Sequence, residues 1–151
     1  MKTMAKSSFS ELETIALKAG YSYERTYREN VPEELPTQSI ISEFISLDKS
    51  SLLVKTTTTY RYFSKDGKVD YKTNPRISYD MTLYFNDPNL LEKYKTYLKD
   101  NNYKQDMDAP LAERITTNYK NTSEKNLEVS LVRFDEKEKY RYYVLVVVDP
   151  Y

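Results

Sequence analysis

The segment from residue 77 to residue 85 places the strongest constraint on the fold. Ile77, Tyr79, Met81, Leu83 and Phe85 alternate with polar or amphipathic neighbours. A period of two puts these side chains on one face of a β-strand and their neighbours on the other. The segment therefore predicts a sheet that has one buried face.

Two helices are predicted from clear start and stop signals. Ser8-Phe9-Ser10-Glu11 has the spacing of a capping box, and Gly20 supplies a left-handed stop, so the first helix is expected over about 8–19. Asp87-Pro88 provides the cap and the first residue of the second helix, which Asn101-Asn102 ends. Both segments carry an apolar stripe with helical spacing.

A similar run of segments follows each predicted helix. Leu52–Phe63 resembles Leu127–Phe134. The two units that contain these segments end in Asp87-Pro88 and Asp149-Pro150. We therefore predict an internal duplication, with a flexible N-terminus over 1–7, a first α+β unit over 8–87 and a second over 88–151. The two units are expected to form one compact domain.

The remaining strands are assigned with less uniform support. Residues 38–47 and 111–119 fit a helix as well as a strand, and the turns that follow them favour strands. Residues 31–37 are predicted as a loop, while 64–68 form a hairpin turn in which Gly67 supplies a positive φ. A charged turn over 135–139 leads into Tyr140–Val148, which is apolar on both faces and is therefore expected at the centre of the sheet.

These elements predict an α+β fold made of duplicated helix-plus-antiparallel-sheet units. Its two helices would pack on one side of a mostly antiparallel sheet of about eight strands. Tandem units of this kind resemble those of the bacterial β-lactamase-inhibitor-like proteins, and each unit resembles a cystatin fold. The resemblance is one of architecture and implies no functional residues.

The composition excludes several classes of enzyme. The chain has no Cys, no His, no Trp and only two Gly, Gly20 and Gly67. Thiol and histidine-dependent hydrolases, ordinary zinc sites, phosphate-binding loops and glycine-rich dinucleotide motifs therefore lack their residues. We expect no catalytic residue, no cofactor and no transition-metal site.

Charge and hydropathy bound the partners and the compartment. The 23 basic and 23 acidic side chains balance, which argues against non-specific binding to nucleic acid. No apolar stretch reaches the ~20 residues of a membrane span. Because the lysines in residues 1–6 precede no hydrophobic region, we expect a cytoplasmic protein, or a secreted or envelope protein whose signal segment has been removed.

Carboxylate pairs offer the nearest approach to a catalytic or metal site. Asp106-Met107-Asp108 could share a calcium ion, but no regular acidic spacing surrounds the pair, so a solvated turn is favoured. Glu33-Glu34 and the pair Glu11 and Glu13 could serve a glycosidase, which needs two carboxyls across a cleft. Nothing in the sequence selects either pair.

Tyrosine-rich strands suggest a binding face. If Leu127–Leu131 turns its apolar side chains toward the helices, the alignment of the two units places Thr58 and Tyr60 inside as well. The opposite face would then carry a set of aromatic and arginine side chains, which are the residues enriched in interfaces. The candidate binding residues are Arg61, Phe63, Tyr84, Phe134, Arg141 and Tyr143. Alternatively, these rings are exposed to water on an open sheet, or they pack under a loop or a second subunit.

We therefore expect a non-enzymatic protein-binding module, such as an inhibitor, an immunity-type protein or an envelope adaptor, which uses an aromatic sheet face or its loops. The partner would be another protein. The first alternative is a module that holds a lipid, sugar or peptide between a helix and a curved sheet. The second alternative is a hydrolase that uses carboxylates.

Overall fold

The structure is a computed structural model that describes residues 1–29, 36–70, 73–111, 114–124, 127–134 and 138–148. Its helices are α1 (Lys2–Lys6), α2 (Phe9–Lys18) and α3 (Pro88–Asp100). Its strands are β1 (Tyr21–Arg28), β2 (Thr37–Ser46), β3 (Leu52–Tyr60), β4 (Tyr62–Phe63), β5 (Val69–Asp70), β6 (Arg76–Phe85), β7 (Lys104–Leu111), β8 (Arg114–Lys120), β9 (Leu127–Phe134) and β10 (Tyr142–Val148).

Eight of these strands form one sheet in the order β1-β2-β3-β6-β10-β9-β8-β7, and all neighbours are antiparallel. The strands β4 and β5 pair separately as a small hairpin. Over the described residues, the fold is therefore α+β with an eight-stranded antiparallel sheet and three helices. Strand β10 lies between β6 and β9, as its two apolar faces predicted.

One face of the sheet carries the hydrophobic core and is called the core face below. Directly paired side chains form a buried row across five neighbouring strands: Phe44, Leu53, Leu83, Val144 and Leu131. Helix side chains join the same buried cluster, namely Ala5, Leu12, Ala16, Leu91 and Leu98. The opposite face, formed by the alternating residues of the strands, is called the second face.

Both longer helices begin and end as their sequence signals predicted. The Ser8 Oγ accepts a hydrogen bond from the Glu11 amide at 3.4 Å, and the Ser8 amide donates to the Glu11 carboxylate at 2.8 Å. Gly20 follows α2 with φ +83°. In α3, the Asp87 carboxylate accepts from the Asn89 amide at 2.8 Å, and Asn102 follows the helix with φ +61°.

Replacing Ser8 with alanine is expected to lower the free energy of unfolding by about 1 kcal/mol, because the lost hydroxyl accepts from the Glu11 amide and donates to the Glu11 carboxylate. Ser10→Ala is the matched control, since Ser10 is an exposed residue within the same first turn. Urea unfolding of the two variants measures the difference. Equal stability of the two variants would show that the capping box does not stabilise α2.

Several segments differ from their predictions or settle an open choice. Residues 1–7 were expected to be flexible, but they contain α1, whose Ala5 side chain is fully buried. Of the ambiguous stretches, 38–46 lie in strand β2 with Leu47 in the turn that follows, while Leu111 ends strand β7 and 114–119 lie in strand β8. The predicted turn at Gly67 is confirmed, with φ +78°. Residues 31–35 of the predicted loop and 135–137 of the charged turn lie outside the described residues.

The predicted orientation of β3 is wrong by one residue. Leu53 is paired with Leu83 on the core face, so Thr57 and Thr59 lie on that face too. Thr58 and Tyr60 were expected inside with the core residues, but they lie on the second face. A slip of one residue turns every side chain of a strand to the other face, which accounts for the whole error.

Candidate functional site

The predicted binding residues separate into two groups at opposite ends of β6. Tyr60, next to Arg61 and Phe63, is paired with Arg76 at the start of β6, whereas Tyr84 lies near its end. Eight residues of extended chain separate Arg76 from Tyr84, which corresponds to ~26 Å. The structure therefore does not bring Arg61 and Phe63 together with Tyr84, Phe134 and Tyr143.

The first group lies on the hairpin formed by β4 and β5, called the aromatic hairpin below. Tyr62 is paired with Asp70 and Phe63 with Val69. In the turn, the Ser64 hydroxyl shares its single proton between the Asp66 carboxylate and, at 2.8 Å, the Lys68 carbonyl. The hydrogen bond from Ser64 lowers the pKa of Asp66. These contacts fix the shape of the turn.

Three aromatic rings are exposed within four consecutive residues of this segment. The exposed fractions are 41% for Tyr60, 54% for Tyr62 and 57% for Phe63. Arg61 lies between them, and its amide donates a 2.7 Å hydrogen bond to the Pro36 carbonyl. This bond anchors the base of the aromatic hairpin to the start of β2, so the rings project from a defined backbone.

The second group forms an aromatic cluster on the second face. The ring of Tyr143 lies 5.4 Å from that of Tyr84 and 5.2 Å from that of Phe134, and Tyr140 lies 5.9 Å from Tyr84. Tyr140 is only 8% exposed, and its hydroxyl has no hydrogen-bond partner among the described residues. Burial raises the pKa of Tyr84. These rings therefore pack on one another as a small second core.

Arg141 lies beside this cluster but does not belong to it. The residue is exposed, and its amide donates a 2.9 Å hydrogen bond to the Asn86 side chain. Its carbonyl accepts from the amide of Phe134 at 2.8 Å. Tyr140 was not among the predicted binding residues. The signal that could have indicated it is its position two residues before the central strand β10.

Half-buried apolar residues continue along the second face. They are Ile41, Ile45, Leu52, Val54, Leu145 and Val147. At the far end, burial raises the pKa of Asp80, which is paired with Val147. Toward the β1 edge, the Glu43 carboxylate accepts hydrogen bonds from the Arg25 guanidinium at 2.7 Å and the Tyr27 hydroxyl at 3.1 Å. The second face is thus apolar at its centre and charged toward its margins.

Both outer strands of the sheet are irregular. The pairing of β1 with β2 shifts between Tyr23 and Arg25, and that of β7 with β8 shifts between Gln105 and Met107. Bulges of this kind protect sheet edges against pairing with another strand. The edges are therefore poorer binding sites than the aromatic hairpin.

A cavity of about 520 Å³ lies between α3 and the core face. Its floor is apolar and includes Val129, Val144 and Val146. At its side, the Tyr103 hydroxyl donates a 2.8 Å hydrogen bond to Glu124, and burial raises the pKa of Tyr103. The volume falls in the range of small-molecule sites.

The carboxylate candidates do not gather into a site in the described part of the chain. Asp106 forms an ion pair with Lys120 at 2.9 Å, and Glu11 is engaged by its helix cap. The side chains of Met107 and Asp108 and the pair Glu33-Glu34 lie outside the described residues. Across the described ranges, no three acidic side chains come close enough together to hold a metal ion.

Comparison of the chain with known protein families, with curated proteins and with solved structures finds no match. Among the described helices, none has the length and apolar character needed to cross a membrane.

Proposed function

We propose that this chain is a non-enzymatic protein-binding module that contacts another protein through the aromatic hairpin. The observation that carries the proposal is the exposure of Tyr60, Tyr62 and Phe63 within four consecutive residues. Aromatic side chains and arginine are enriched at the centres of protein interfaces, and Arg61 lies between Tyr60 and Tyr62 in the chain. An inhibitor, an immunity-type protein or an envelope adaptor would each use such a hairpin.

The geometry of the aromatic hairpin favours binding because little order has to be gained. The Gly67 amide donates a 2.9 Å hydrogen bond to the Ser64 carbonyl, and the Ser64 hydroxyl is held by the Lys68 carbonyl. Tyrosine and phenylalanine have few rotatable bonds, so fixing them in an interface costs less entropy than fixing long flexible chains. A preorganised aromatic hairpin therefore converts more of its contact energy into affinity.

The sheet order supports the predicted duplication, which we include in the proposal. The helix α2 precedes β1, β2, β3 and β6, and α3 precedes β7, β8, β9 and β10. The two sets of strands lie in mirrored order and meet where β6 pairs with β10. In this arrangement both helices would pack on the core face, and the aromatic hairpin would be an insertion in the first unit alone.

Phe63→Ala is expected to weaken partner binding by about 2 kcal/mol, or roughly 30-fold, while leaving stability nearly unchanged. The experiment captures the partner from extracts of the native source on the immobilised full chain, and then measures the affinity of the purified partner. Leu47→Ala is the matched control, because Leu47 is 78% exposed and lies in the turn between β2 and β3. The control should retain the partner as well as the unchanged protein does.

Two results would contradict the proposal. Equal affinity of Phe63→Ala, Tyr62→Ala and the unchanged protein would show that the aromatic hairpin is not the contact surface. A loss of affinity that is matched by Leu47→Ala would show that capture depends on general surface hydrophobicity.

The cavity beside α3 favours a second candidate function, the binding of a small apolar molecule. Its 520 Å³ volume, its apolar floor and the rings of Tyr94, Tyr97 and Tyr103 fit such a ligand. The hairpin variants separate the two functions, because they leave the cavity unaltered. They should weaken capture of a protein partner and should not change the binding of a small molecule in the cavity.

A further inference from the structure

A second concave site lies on the core face, where the junction of α1 and α2 crosses strands β1 to β3. This groove has a volume of about 740 Å³ and is called the Lys55 groove below. Its floor includes the paired residues Thr26, Ser42 and Lys55 from three neighbouring strands. A polar row therefore lies on the face that elsewhere holds the hydrophobic core.

Lys55 is the unusual residue in this row. It is only 9% exposed, and its ammonium group donates a hydrogen bond to the Ser7 carbonyl at the α1–α2 junction. The same group lies 5.8 Å from the centre of the Tyr79 ring. Burial lowers the pKa of Lys55. The Ser7 carbonyl, the Tyr79 ring and the charge of Glu11 favour the ammonium, but burial is the larger effect on its pKa.

No carboxylate within the described ranges forms an ion pair with Lys55. The charge of Glu11 favours the Lys55 ammonium, but the Glu11 carboxylate accepts its hydrogen bonds from the amide and hydroxyl of Ser8, both at 2.8 Å. Buried ammonium groups are normally paired with an anion because removing them from water is costly. An ammonium has three donors, and the Ser7 carbonyl occupies one of them. The Lys55 groove therefore has donors suited to an anion.

The surroundings define the rest of the ligand. Phe9 and Tyr23 stand edge to face, with their ring centres 5.3 Å apart, and Ile40 and Tyr79 also line the groove. Beside Lys55, the hydroxyls of Thr26 and Ser42 lie 2.9 Å apart, and Thr57 adds a third hydroxyl. Aromatic walls favour a flat apolar body, while hydroxyls and an ammonium favour a carboxylate.

We propose that the Lys55 groove binds a small aromatic carboxylate. The carboxylate accepts hydrogen bonds from the Lys55 ammonium, and the ring packs between Phe9, Tyr23 and Tyr79. The site lies on the opposite face of the sheet from Tyr60, so its occupation does not depend on the proposed protein contact.

The test titrates the full chain with phenylacetate and with phenylacetamide, which has the same shape without the charge, and follows binding by calorimetry and amide chemical shifts. Phenylacetate should bind at least about tenfold more tightly than the amide. Lys55→Met, which keeps the stem and removes the charge, should abolish this preference. Lys18→Met, at an exposed site in the last turn of α2, should leave binding unchanged.

A second variant covers the case in which Lys55→Met does not fold. Thr57→Phe fills the groove from its floor and keeps the charge, so it should weaken phenylacetate binding by at least about tenfold. A peptide that ends in phenylalanine separates the two sources of the carboxylate. Tighter binding of this peptide than of phenylacetate assigns the site to a protein C-terminus, and weaker or equal binding assigns it to a free acid.

Any one of the following results would overturn the proposal. They are equal affinity for acid and amide, unchanged binding by folded Lys55→Met, and chemical-shift changes confined to residues outside the groove. Absence of phenylacetate binding up to its solubility limit would overturn it as well.

Discussion

Replacing Phe44 with alanine is expected to lower the free energy of unfolding by about 3–5 kcal/mol. Phe44 is fully buried at the centre of the first half of the sheet. Its ring lies 5.8 Å from Tyr23 and 6.1 Å from Phe9, and its strand neighbour is Leu53. Alanine would leave a cavity that β2 and α2 together cannot close, because both are fixed by backbone hydrogen bonds.

Urea unfolding, followed by circular dichroism, measures the effect. Phe63→Ala is the matched control, since it removes the same atoms from an exposed ring and should change stability by less than about 0.5 kcal/mol. Similar losses in the two variants would contradict the position of Phe44 in the core, and with it the pairing of β2 with β3.

Tyr84→Ala is expected to lower the free energy of unfolding by about 2–3 kcal/mol. Tyr84 is half-buried, and its ring contacts Tyr140 and Tyr143 in the aromatic cluster of the second face. Removing the Tyr84 ring takes contact area from both neighbours. It also exposes Tyr140, which is only 8% exposed in the unchanged protein. The effect is smaller than at Phe44 because one side of the Tyr84 ring already faces water.

Thermal and urea unfolding of Tyr84→Ala and Tyr97→Ala provide the comparison, because Tyr97 is 60% exposed on α3. Tyr97→Ala should change stability little, since alanine also favours the helix. Unchanged stability of Tyr84→Ala would mean that the cluster is an open surface. Tyr84, Phe134 and Tyr143 would then again be candidates for partner contact.

Most of the correct predictions depended on local sequence signals, such as helix caps, helix stops and the alternation of a strand. The capping box at Ser8, the Asp87-Pro88 start and the stops at Gly20 and Asn102 depend on residues within one or two turns of each other. The alternation from Ile77 to Phe85 likewise fixes its own buried face. Such features do not require knowledge of the tertiary structure, so they were predicted correctly.

Features that depend on strand register or on distant contacts were harder to predict. After Leu53, the core-facing positions of strand β3 hold Lys55, Thr57 and Thr59. Because these residues are polar, the sequence pattern does not show which face of the strand is buried. A lysine at a core-facing position is unexpected from sequence because lysine is rarely buried. Helix α1 also has no side-chain cap at its N-terminus, and the burial of Ala5 is a tertiary contact that the local sequence does not reveal.

The predicted binding set was divided for the same reason. The alternation of apolar and polar residues predicts on which face of a strand Phe63 and Tyr84 lie. It does not predict that the chain leaves the main sheet after Tyr60 and forms β4. Once β4 pairs with β5, Arg61 and Phe63 belong to the aromatic hairpin, and Tyr84 remains in the sheet.

Hydrogen exchange of the chain alone and in complex with its captured partner tests the central claim most directly. The proposal predicts slower exchange across residues 60–70 in the complex, with exchange in α3 and its neighbouring strands unchanged. Slower exchange confined to α3, to the Lys55 groove or to the edge strands, with residues 60–70 unaffected, would contradict it.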